Sequence, residues 1–539
     1  MGDIPWWKTT TIYQIYPRSY KDSNGDGIGD LRGIISKLDY IRKLGFETVW
    51  LSPFFDSPQE DFGYDIRDYL NIAPEYGTLK DAEDLIAEIH TRGMRVIFDL
   101  VMNHTSAQHP WFQASRQNRE NPYRDWYIWK TGRGKHPPNN WQSMTGGSGW
   151  NFDESSREWY YASFLPFQPD LNYRNPEVRQ TMLQIARHWL NKGVDGFRLD
   201  IFHTVYKDAR FRDNPFSLHY IPYRDRAGFF QRWLHHQHQP ETFALARDLR
   251  QIATSYSDER MLIGEVFGED EVLKQYLGTQ ADGLNLVFSW ELLKTRPRAQ
   301  FFRDVIAHHE REYPEPYTPV YVYGNHDQKR ICSKVGTDPR IAQLLALIQF
   351  TVRGIPVVYY GEEIGMQDVA IPAKRAKDPL AHQYAWVPAW LADVLRLYVN
   401  RDGCRTPMQW DFSPNAGFAP ESAQSWLPVH ENHQHINVQA QQGEPDSLLE
   451  TYRTLLRLRR QKEVFQHGSL RLWDAEEGKD VLAYERILDA ERVVVAINWG
   501  GKAVNFPLLK HSEKSLFTIG DIQTETGFLL PLSGVMIKT

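Results

Sequence analysis

One arrangement recurs along this chain and restricts its fold more than any other feature. An amphipathic helix runs, usually through a glycine, into a short apolar strand that ends in polar residues. In the first instance Ile34, Leu38, Ile41 and Leu44 share one helical face, and Gly45 ends the helix. The instances are GIISKLDYIRKLG–FETVWLSP, DAEDLIAEIHTRG–MRVIFDLVMNH, NPEVRQTMLQIARHWLNKG–VDGFRLD, LARDLRQIATSYSDER–MLIGEV and IAQLLALIQFTVRG–IPVVYYGEE.

Three further apolar runs, TIYQIYP, LNLVF and PVYVYGNHD, bring the number of predicted strands to eight. Helices that alternate with buried strands are typical of a parallel sheet. Eight such strands fit a (β/α)8 barrel better than an open sheet, so we predict an α/β fold of the TIM barrel type. At the third helix, Asn175 is the predicted N-cap and Pro176 the first helical residue.

Two segments depart from this alternation and predict additions to the barrel. About seventy residues rich in Trp, Tyr, Gly, Pro and Asn separate the third strand from its helix, far more than an ordinary connection needs. We therefore predict a small domain over the barrel mouth at residues 105–172, inserted into a barrel of residues 1–104 and 173–465. The helix SLLETYRTLLRLRRQKEVF closes the barrel, and alternating runs after it predict an antiparallel, β-sandwich-like domain at 466–539.

Polar and charged side chains gather where the predicted strands end. The carboxyl ends of the strands carry the active site in barrels of this kind, because the loops that follow them meet at one face. Four strands with this property indicate one shared site better than they indicate separate caps or structural pairs. The residues are Asp99, Asn103 and His104 on the third strand, Arg198 and Asp200 on the fourth, Glu265 on the fifth, and His326 and Asp327 on the seventh.

Three of these carboxylates suggest a division of roles. Arg198 and Asp200 point to the same face of a strand, and a neighbouring guanidinium favours the ionised form that a carboxylate nucleophile needs. Glu265 ends an apolar run, a setting that suits a carboxyl group kept protonated as a general acid. Asp327 adds a third negative charge, and such a ring fits a cationic transition state, of which glycoside cleavage is the leading case.

Net charge and cysteine content exclude several classes of partner. The formal net charge of the 539 residues is −6, whereas nucleic acids and anionic membranes require a basic surface. The start, MGDIPWWKTT, has no apolar core of signal-peptide length, and no apolar run approaches the length of a membrane span. Cys332 and Cys404 are too few for a disulfide framework, so we predict a soluble cytoplasmic protein with no nucleic-acid or membrane partner.

Four of the strand ends, DLVMNH, GFRLD, GEVFG and NHD, resemble in order the four motifs of the α-amylase superfamily of glycoside hydrolases. GFETVWLSP and GIPVVYYGEE resemble its two flanking strand motifs. QPDLN at 168–172, the opening WWKTTTIYQIYPRSYKDSNGDGIGDLRGI and the later NRDGCRTPMQWD look like its oligo-1,6-glucosidase and α-glucosidase branch. The resemblance covers nearly the whole chain, and the ordered set is far more specific than NHD alone.

The resemblance implies a role for each residue at a matching position. Asp200 would be the nucleophile, Glu265 the general acid and base, and Asp327 the stabiliser of the transition state. Retention of configuration through a covalent glucosyl–enzyme intermediate would place nucleophile and acid roughly 5–5.5 Å apart. The residues implied to bind the glucosyl unit are Arg198, His104 and His326, with Tyr64 and Asp65 sealing the end of the pocket and Phe164, Gln168 and Arg401 bordering it.

The stretch DSNGDGIGD at 22–30 has the spacing of a loop that wraps a hard cation. It is not an EF-hand, because Gly33 occupies the position of the bidentate glutamate. An acidic turn without a metal is the alternative; the family resemblance favours structural calcium, with magnesium as the other candidate ion and no cofactor for catalysis. The predicted ligands are Asp22, Asn24, Asp26, the carbonyl oxygen of Ile28, and Asp30.

Two positions depart from the branch that the chain resembles. Lys329 follows NHDQ where proline is usual, a change expected to affect an outer subsite. Ile201 follows the nucleophile, where valine accompanies α-1,6 substrates and threonine or small residues accompany α-1,4 substrates. Because isoleucine is bulky and β-branched like valine, Ile201 favours a preference for α-1,6 substrates.

These observations predict a retaining, exo-acting α-glucosidase that cleaves α-1,4 or α-1,6 bonds of short oligosaccharides or disaccharides. A transglucosidase or a sucrose isomerase is the alternative, since both would use the same intermediate. A non-catalytic binding subunit is the remote alternative, because such relatives lose catalytic carboxylates and carry a membrane span. The predicted assembly is a monomer or a homodimer.

Overall fold

Eight parallel strands form the centre of the computed structural model, which describes residues 4–220, 227–387, 398–474, 479–511 and 515–539. The strands are β1 (Ile12–Ile15), β2 (Thr48–Leu51), β3 (Arg95–Leu100), β4 (Gly196–Leu199), β5 (Met261–Gly264), β6 (Leu286–Val287), β7 (Val320–Val322) and β8 (Ile355–Tyr359). They are hydrogen-bonded in the order β6-β5-β4-β3-β2-β1-β8-β7, and a parallel bridge between Ser289 and Tyr321 links the two end strands. The predicted barrel is confirmed.

Helices connect successive strands on the outside of the barrel. They are Leu31–Ser36, Leu38–Leu44, Leu79–Thr91, Pro176–Asn191, Pro240–Thr254, Asp270–Leu277, Ala299–Glu312, Pro339–Thr351 and Leu448–Gln461. Shorter helices lie in the connections, at Pro17–Tyr20, Pro110–Gln117, Ile331–Val335, Pro379–Gln383, Val438–Gln441 and Glu463–His467. None of the helices in the described ranges is long and apolar enough to cross a membrane.

Two helices that the sequence predicts as continuous are each broken by a lysine. The first is interrupted at Lys37, whose φ of −112° lies outside the helical range. The closing helix is interrupted at Lys462, which is extended, with φ −116° and ψ 106°. Apolar periodicity continues through both lysines, so the pattern does not reveal the breaks.

Local side-chain chemistry sets the ends of the helices. Asn175 accepts a hydrogen bond from the backbone N–H of Glu177, and Pro176 is the first residue of that helix, both as predicted. Gly45 has a φ of 109° and ends its helix in the left-handed region, which is strained for a residue with a Cβ. Such caps fix where each helix stops and where the next strand enters the barrel.

Two apolar layers hold the barrel together. The inner layer fills the space enclosed by the strands and includes Ile12, Trp50, Ile97, Met261, Ile263, Leu286, Val320, Val322, Ile355 and Val357. The outer layer lies between the strands and the surrounding helices. Because both faces of the strands are buried, polar side chains concentrate toward the strand ends. This arrangement gathers the functional side chains at one face of the barrel.

The segment inserted after β3 contains a small antiparallel sheet, formed by Trp129–Lys130, Glu158–Tyr161 and Trp150–Asp153. Its apolar cluster consists of Ile128, Trp141, Trp150 and Tyr161. The returning chain runs beside the end of β3, where His104 and Asp170 form an antiparallel bridge. The insertion therefore stands at the same face of the barrel as His104.

An antiparallel sheet follows the last barrel helix, which confirms the predicted C-terminal β structure. Its strands, in spatial order, are Ser469–Leu472, Val481–Leu488, Glu491–Asn498, Ser533–Lys538 and Ser515–Ile519. A smaller sheet packs against it, formed by Val504–Asn505, Phe528–Leu529 and Ile522–Gln523. Residues 475–478, within the predicted domain, lie outside the described residues. The residue boundaries of all three domains stay predictions.

Buried Arg486 joins this sheet to the barrel. It donates to the backbone carbonyls of Thr351 (2.7 Å), Gly468 (2.7 Å) and Phe465 (3.1 Å). Thr351 is the last residue of the helix before β8, so the guanidinium meets the negative end of a helix dipole. That contact lies at the end of the barrel opposite the polar strand ends.

Candidate active site

Arg198 links three carboxylates that come from three neighbouring strands. It lies on β4 and Asp200 follows the same strand, so both side chains point to one face. Arg198 Nη1 donates to Asp200 Oδ1 (2.7 Å) and to Asp99 Oδ1 on β3 (2.8 Å). Its Nη2 donates to Oε2 of Glu265, which follows β5 (2.6 Å). The pair expected from the sequence is present, but as one branch of a three-way contact.

The charge balance around Asp200 differs from the one expected. Burial raises the pKa of Asp200 well above its ordinary value, Arg198 lowers it, and the carboxylates of Glu265 and Asp99 raise it further. Burial likewise outweighs Arg198 at Asp99, whose pKa is also raised. Arg198 favours the ionised form of Asp200, as expected, but burial and the two neighbouring carboxylates outweigh it, because one guanidinium is shared among three buried carboxylates. Asp200 and Asp99 therefore have pKa values above those of isolated carboxyl groups.

The residue that follows the nucleophile position also fixes Glu265. Glu265 Oε2 accepts a hydrogen bond from the backbone N–H of Ile201 at 3.0 Å. Ile201 has φ 33° and ψ 43°, a left-handed conformation that is an outlier for a β-branched residue. Strain of this kind persists only where the surroundings enforce it, and here it directs the N–H toward Glu265. Ile201 also lines a cavity at the carboxyl ends of the strands.

Asp327, which follows β7, lies in a more positive setting than Asp200. Its carboxylate accepts hydrogen bonds from Arg405 Nη2 (2.8 Å) and Arg401 Nη1 (3.2 Å), and it lies 3.0 Å from His326 Nε2. Although burial raises the pKa of Asp327, these three neighbours hold it well below its ordinary value. Asp200 and Asp327 thus have pKa values shifted in opposite directions, as in sites where carboxyl groups divide a reaction between them.

Tyr64 connects the two predicted histidines. Its ring stacks on that of His326, with centroids 5.3 Å apart and planes at 6°. Its carbonyl oxygen lies 3.0 Å from His104 Nε2, and its hydroxyl donates to Asp99 Oδ2 at 3.2 Å. Burial lowers the pKa of His104, so this histidine is neutral at ordinary pH. Tyr64 and His104 line the cavity, whereas His326 is buried behind Tyr64.

Asp61 and Arg401 close one end of the cavity. Arg401 Nη2 donates to Asp61 Oδ1 at 2.7 Å, and Gln168 Nε2 donates to Asp61 Oδ2 at 3.0 Å. Phe164 lines the same end, with its ring centroid 6.0 Å from that of His104. The structure therefore brings together three residues predicted to border the pocket, Phe164, Gln168 and Arg401.

Arg401 is held from behind by a carboxylate that sequence reasoning missed. Asp378 accepts from Arg401 Nε at 3.0 Å and from its Nη2 at 2.8 Å. Asp378 is fully buried, and it also accepts from the backbone N–H of Arg401 at 2.6 Å. An arginine in a pocket requires acidic partners, so an unassigned carboxylate near Arg401 was to be expected. Nothing in the sequence identified that carboxylate as Asp378.

Asp65 was expected to seal the pocket, and that expectation is wrong. Its Oδ1 accepts hydrogen bonds from Ser57 Oγ (2.9 Å) and from the backbone N–H of Asp61 (3.0 Å), and its Oδ2 accepts from the N–H of Glu60 (3.0 Å). It is fully buried, is not among the described residues that line the cavity, and has a pKa raised by burial to about 7. Asp65 therefore holds the loop 57–61 in shape, and Asp61 takes the place at the cavity.

The carboxylates face a cavity of about 500 Å³ whose lining changes in character. The charged residues in its described lining are Asp61, Asp200, Glu265, Asp327 and Arg401. Aromatic residues form the largest group in the rest, among them Tyr220, Phe229, Phe267, Trp290, Tyr384 and Trp386. Sequence reasoning missed this aromatic set because most of it lies in irregular segments, where no periodicity predicts which way a side chain points. The aromatic content of 13% was the available signal.

The predicted metal loop is folded by its own hydrogen bonds. Asp22 accepts from the backbone N–H groups of Asn24 (3.0 Å) and Gly27 (2.9 Å), and Asp30 accepts from that of Gly33 (2.7 Å). Across the described ranges, no group of three or more His, Cys, Asp or Glu side chains is placed to hold a metal ion. Calcium also binds amide and backbone carbonyl oxygens, which are two of the five predicted ligands. The calcium site in this loop therefore stays a prediction.

Comparison with known proteins shows similarity over nearly the whole chain. The family of alpha-amylase catalytic domains matches residues 14–468. An oligo-1,6-glucosidase of Parageobacillus thermoglucosidasius is 37% identical over 94% of this chain and 92% of its own, and an alpha-glucosidase of Candida albicans is 37% identical over 96% of each. The crystal structure of an alpha-glucosyl transfer enzyme, XgtA, is 34% identical with a TM-score of 0.87, covering 99% of this chain and 100% of that one.

Proposed function

The chain belongs to the α-amylase family of glycoside hydrolases, and from this premise we propose that it is a retaining, exo-acting α-glucosidase. It removes single glucosyl units from the non-reducing ends of short α-glucosides through a covalent intermediate on Asp200. The observation that carries this proposal is that Asp200, Glu265 and Asp327 face one cavity whose end is closed by Asp61 and Arg401.

The contact between Asp61 and Arg401 supports the exo mode of action. A cavity that ends in an ion pair admits the end of a sugar chain and blocks a chain that continues through it. The same two side chains offer charged oxygen and nitrogen atoms, which form the stronger class of hydrogen bond to sugar hydroxyls. A cleft open at both ends would instead favour cleavage within a chain.

The proposed reaction assigns one step to each carboxyl group. Asp200 attacks C1 of the glucosyl unit while Glu265 gives its proton to the oxygen of the leaving group. Arg198 Nη2 and the backbone N–H of Ile201 both donate to Oε2 of Glu265, so its Oε1 is the oxygen available to carry this proton. Asp327, ionised by its cationic neighbours, stabilises the positive charge that develops on the sugar ring. Water then displaces Asp200 and returns a proton to Glu265.

A transglucosidase is the second candidate, because the glucosyl transfer enzyme XgtA is similar over nearly the whole chain. Hydrolysis and transfer share one intermediate and differ in whether water or another hydroxyl group reaches it first. A sucrose isomerase is a special case of transfer, since it returns the glucosyl unit to the fructose just released. Because Ile201 lines the cavity, its side chain is placed to affect which linkage is cleaved, and we propose a preference for α-1,6 bonds.

We also propose action in the cytoplasm, as a monomer or a homodimer. Cys332 and Cys404 are both buried and free, which suits a reducing compartment. Light scattering of the purified protein distinguishes the two assemblies.

The test compares the unaltered protein with its Asp200→Asn variant on maltose, isomaltose, sucrose and trehalose. We expect free glucose as the main product, and a fall in kcat/KM of at least about 10⁴-fold in the variant. Sucrose isomers or longer oligosaccharides in excess of glucose favour the second candidate. Unchanged turnover in the variant would refute Asp200 as the nucleophile.

A further inference from the structure

A glutamine lies inside the barrel, on a strand whose other residues are isoleucine and tyrosine. Gln14 belongs to β1 and points to the same side as Ile12, which is part of the inner apolar layer. It is fully buried, and its Nε2 donates to Ser52 Oγ at 3.1 Å and lies 2.8 Å from Nδ1 of His326. Among the described residues its Oε1 has no hydrogen-bond partner, so the nitrogen anchors the side chain. An amide buried among apolar side chains reduces stability unless it is hydrogen-bonded, so its partners indicate what it does.

Two tyrosines fix the plane of the His326 ring but not the position of its proton. The ring stacks on Tyr16, with centroids 6.0 Å apart and planes at 17°, and on Tyr64, with centroids 5.3 Å apart and planes at 6°. Such stacking is open to either tautomer, because both ring nitrogens lie at the edge of the ring. The tautomer is therefore decided at that edge, where each nitrogen meets its hydrogen-bond partner.

The amide of Gln14 determines which nitrogen of a neutral His326 carries the proton. An amide nitrogen only donates, so Nδ1 of His326 accepts from Gln14 Nε2 and the ring proton is on Nε2. That proton faces Asp327 Oδ2 at 3.0 Å, and the hydroxyl oxygen of Tyr64 lies close to it as well. The opposite tautomer sets two N–H groups against each other at Nδ1 and a lone pair against the carboxylate at Nε2, so it loses both bonds.

The two oxygens of Asp327 are held by different groups. Oδ1 accepts from Arg405 Nη2 at 2.8 Å and from Arg401 Nη1 at 3.2 Å, whereas Oδ2 faces His326. Loss of the donor at Oδ2 leaves the carboxylate free to turn about its Cβ–Cγ bond, so its charge is no longer fixed toward the cavity that it lines. A charge held in place before the reaction stabilises a transition state better than one that has to reorient during it.

We propose that Gln14 is a positioning residue of the reaction: its amide keeps the proton of His326 on Nε2, and that proton holds Asp327 in place. Gln14 is absent from the described lining of the cavity and acts only through the histidine. This inference rests on the proposed glucosidase function and adds a residue of the barrel interior on which charge stabilisation depends. Because Asp327 counters a positive charge that develops only in the transition state, loss of the amide lowers kcat and leaves KM nearly unchanged.

The first test compares Gln14→Met, which removes the donor at similar size, with Ser52→Ala, which removes the other acceptor of the same amide. On maltose and on isomaltose we expect kcat of Gln14→Met to fall at least about tenfold, with KM within about threefold of that of the unaltered protein. Inhibition by 1-deoxynojirimycin, a glucose analogue with a protonated ring nitrogen, should weaken about tenfold, whereas inhibition by glucose should change less than about threefold. Ser52→Ala keeps the bond to His326, so its kcat should stay within about twofold.

Gln14→Glu separates the tautomer from packing, because it keeps the size and shape of glutamine. At acid pH its carboxyl group is protonated and donates to Nδ1 as the amide does; at higher pH it is ionised and only accepts. We therefore expect its kcat to approach that of the unaltered protein at acid pH and to fall about tenfold or more below it as the pH rises.

Two results overturn the inference. One is a ratio of kcat between Gln14→Glu and the unaltered protein that stays constant across the pH range, because packing alone then accounts for the residue. The other is an unchanged kcat in Gln14→Met; if that variant does not fold, the pH profile of Gln14→Glu decides alone. Failure of the proposed function is distinct, since the unaltered protein then releases no glucose from maltose or isomaltose.

Discussion

At the scale of single residues, Asp200 lowers the stability of the fold that it serves. Its folded pKa is raised above the ordinary value of 3.8, so its ionised form is disfavoured in the folded protein. This unfavourable contribution appears as the pH rises from 3.8 through the raised value, and it is absent at lower pH. We expect Asp200→Asn to raise Tm at neutral pH, since an amide oxygen still accepts from Arg198 without carrying a charge. Thermal melts at a series of pH values should show this gain shrinking toward acid pH.

Asp327→Asn should have the opposite effect. The folded pKa of Asp327 is held well below 3.8, so its ionised form stabilises the protein above that pH. This contribution is lost as the pH falls through the lowered folded pKa. We therefore expect a lower Tm at neutral pH, with a difference that decreases in strong acid. If both asparagine variants shift Tm in the same direction at pH 7, the electrostatic account of the two carboxylates is wrong.

Asp61 and Asp65 lie four residues apart and should respond differently to replacement by alanine. Asp61→Ala removes a partner of Arg401 at the cavity, so kcat/KM should fall about 100-fold or more, as when a substrate-positioning group is lost. Asp65→Ala leaves the buried hydroxyl of Ser57 and the buried N–H of Asp61 unpaired, so unfolding should become easier by about 1–3 kcal/mol. Steady-state kinetics and denaturant unfolding of both variants check this; a larger kinetic effect for Asp65→Ala would restore its role in the pocket.

At the scale of elements, the loop 22–30 tests the predicted calcium site. An ion that binds only the folded protein raises its stability by about 2.7 kcal/mol at a concentration 100 times Kd. We therefore expect Tm to be higher in millimolar calcium than in EDTA. Asp26 is exposed, so Asp26→Asn should remove the response without disturbing the fold. Equal Tm values in calcium and in EDTA would favour the acidic turn without a metal.

Asp30 is the contrasting position in the same loop. It accepts from the N–H of Gly33 and so caps the helix Leu31–Ser36. Asp30→Ala should lower Tm with or without the ion, because loss of an N-cap costs about 0.5–2 kcal/mol. A variant whose Tm falls in EDTA as much as in calcium therefore reports capping, and the calcium response has to be judged at Asp26.

The elements were predictable from the sequence where burial alone decides them. Each barrel strand is a short apolar run between turns, and eight such runs admit few architectures. That Asp200, Glu265 and Asp327 face one cavity was predictable for the same reason, since the carboxyl ends of the strands lie at one face of a barrel. Asp61 was missed because two aspartates in the same short loop carry equal local signals, and tertiary contact with Arg401 is what distinguishes them. The orientation of Phe229 depends on a strained turn that no residue preference predicts.

At the scale of the whole molecule, Arg486 couples the C-terminal sheet to the barrel. Of its carbonyl partners, Thr351 belongs to the helix before β8, and Phe465 and Gly468 lie where the chain passes from the barrel to the sheet. Arg486→Met should make unfolding easier by about 1–3 kcal/mol, because these buried acceptors lose their donor. We expect kcat at 25 °C to be unchanged within about twofold, since the contact lies opposite the cavity. Denaturant unfolding followed by tryptophan fluorescence measures the change, and an unaltered midpoint would show that the sheet is held by other contacts.

The ion pair of Asp61 and Arg401 at the end of the cavity also determines the order in which the products of the proposed reaction leave. In the proposed reaction, the glucose formed at this end has to leave through the cavity mouth by which the substrate entered, after the leaving group has departed. The two products therefore leave in a fixed order: the leaving group, which entered the cavity last, departs first, and glucose follows it. An alcohol that remains in the cavity mouth blocks the release of the glucosyl unit behind it and is in position to accept that unit. In the proposed reaction, departure of the leaving group from the cavity mouth therefore sets the share of glucosyl units that are transferred back to an alcohol.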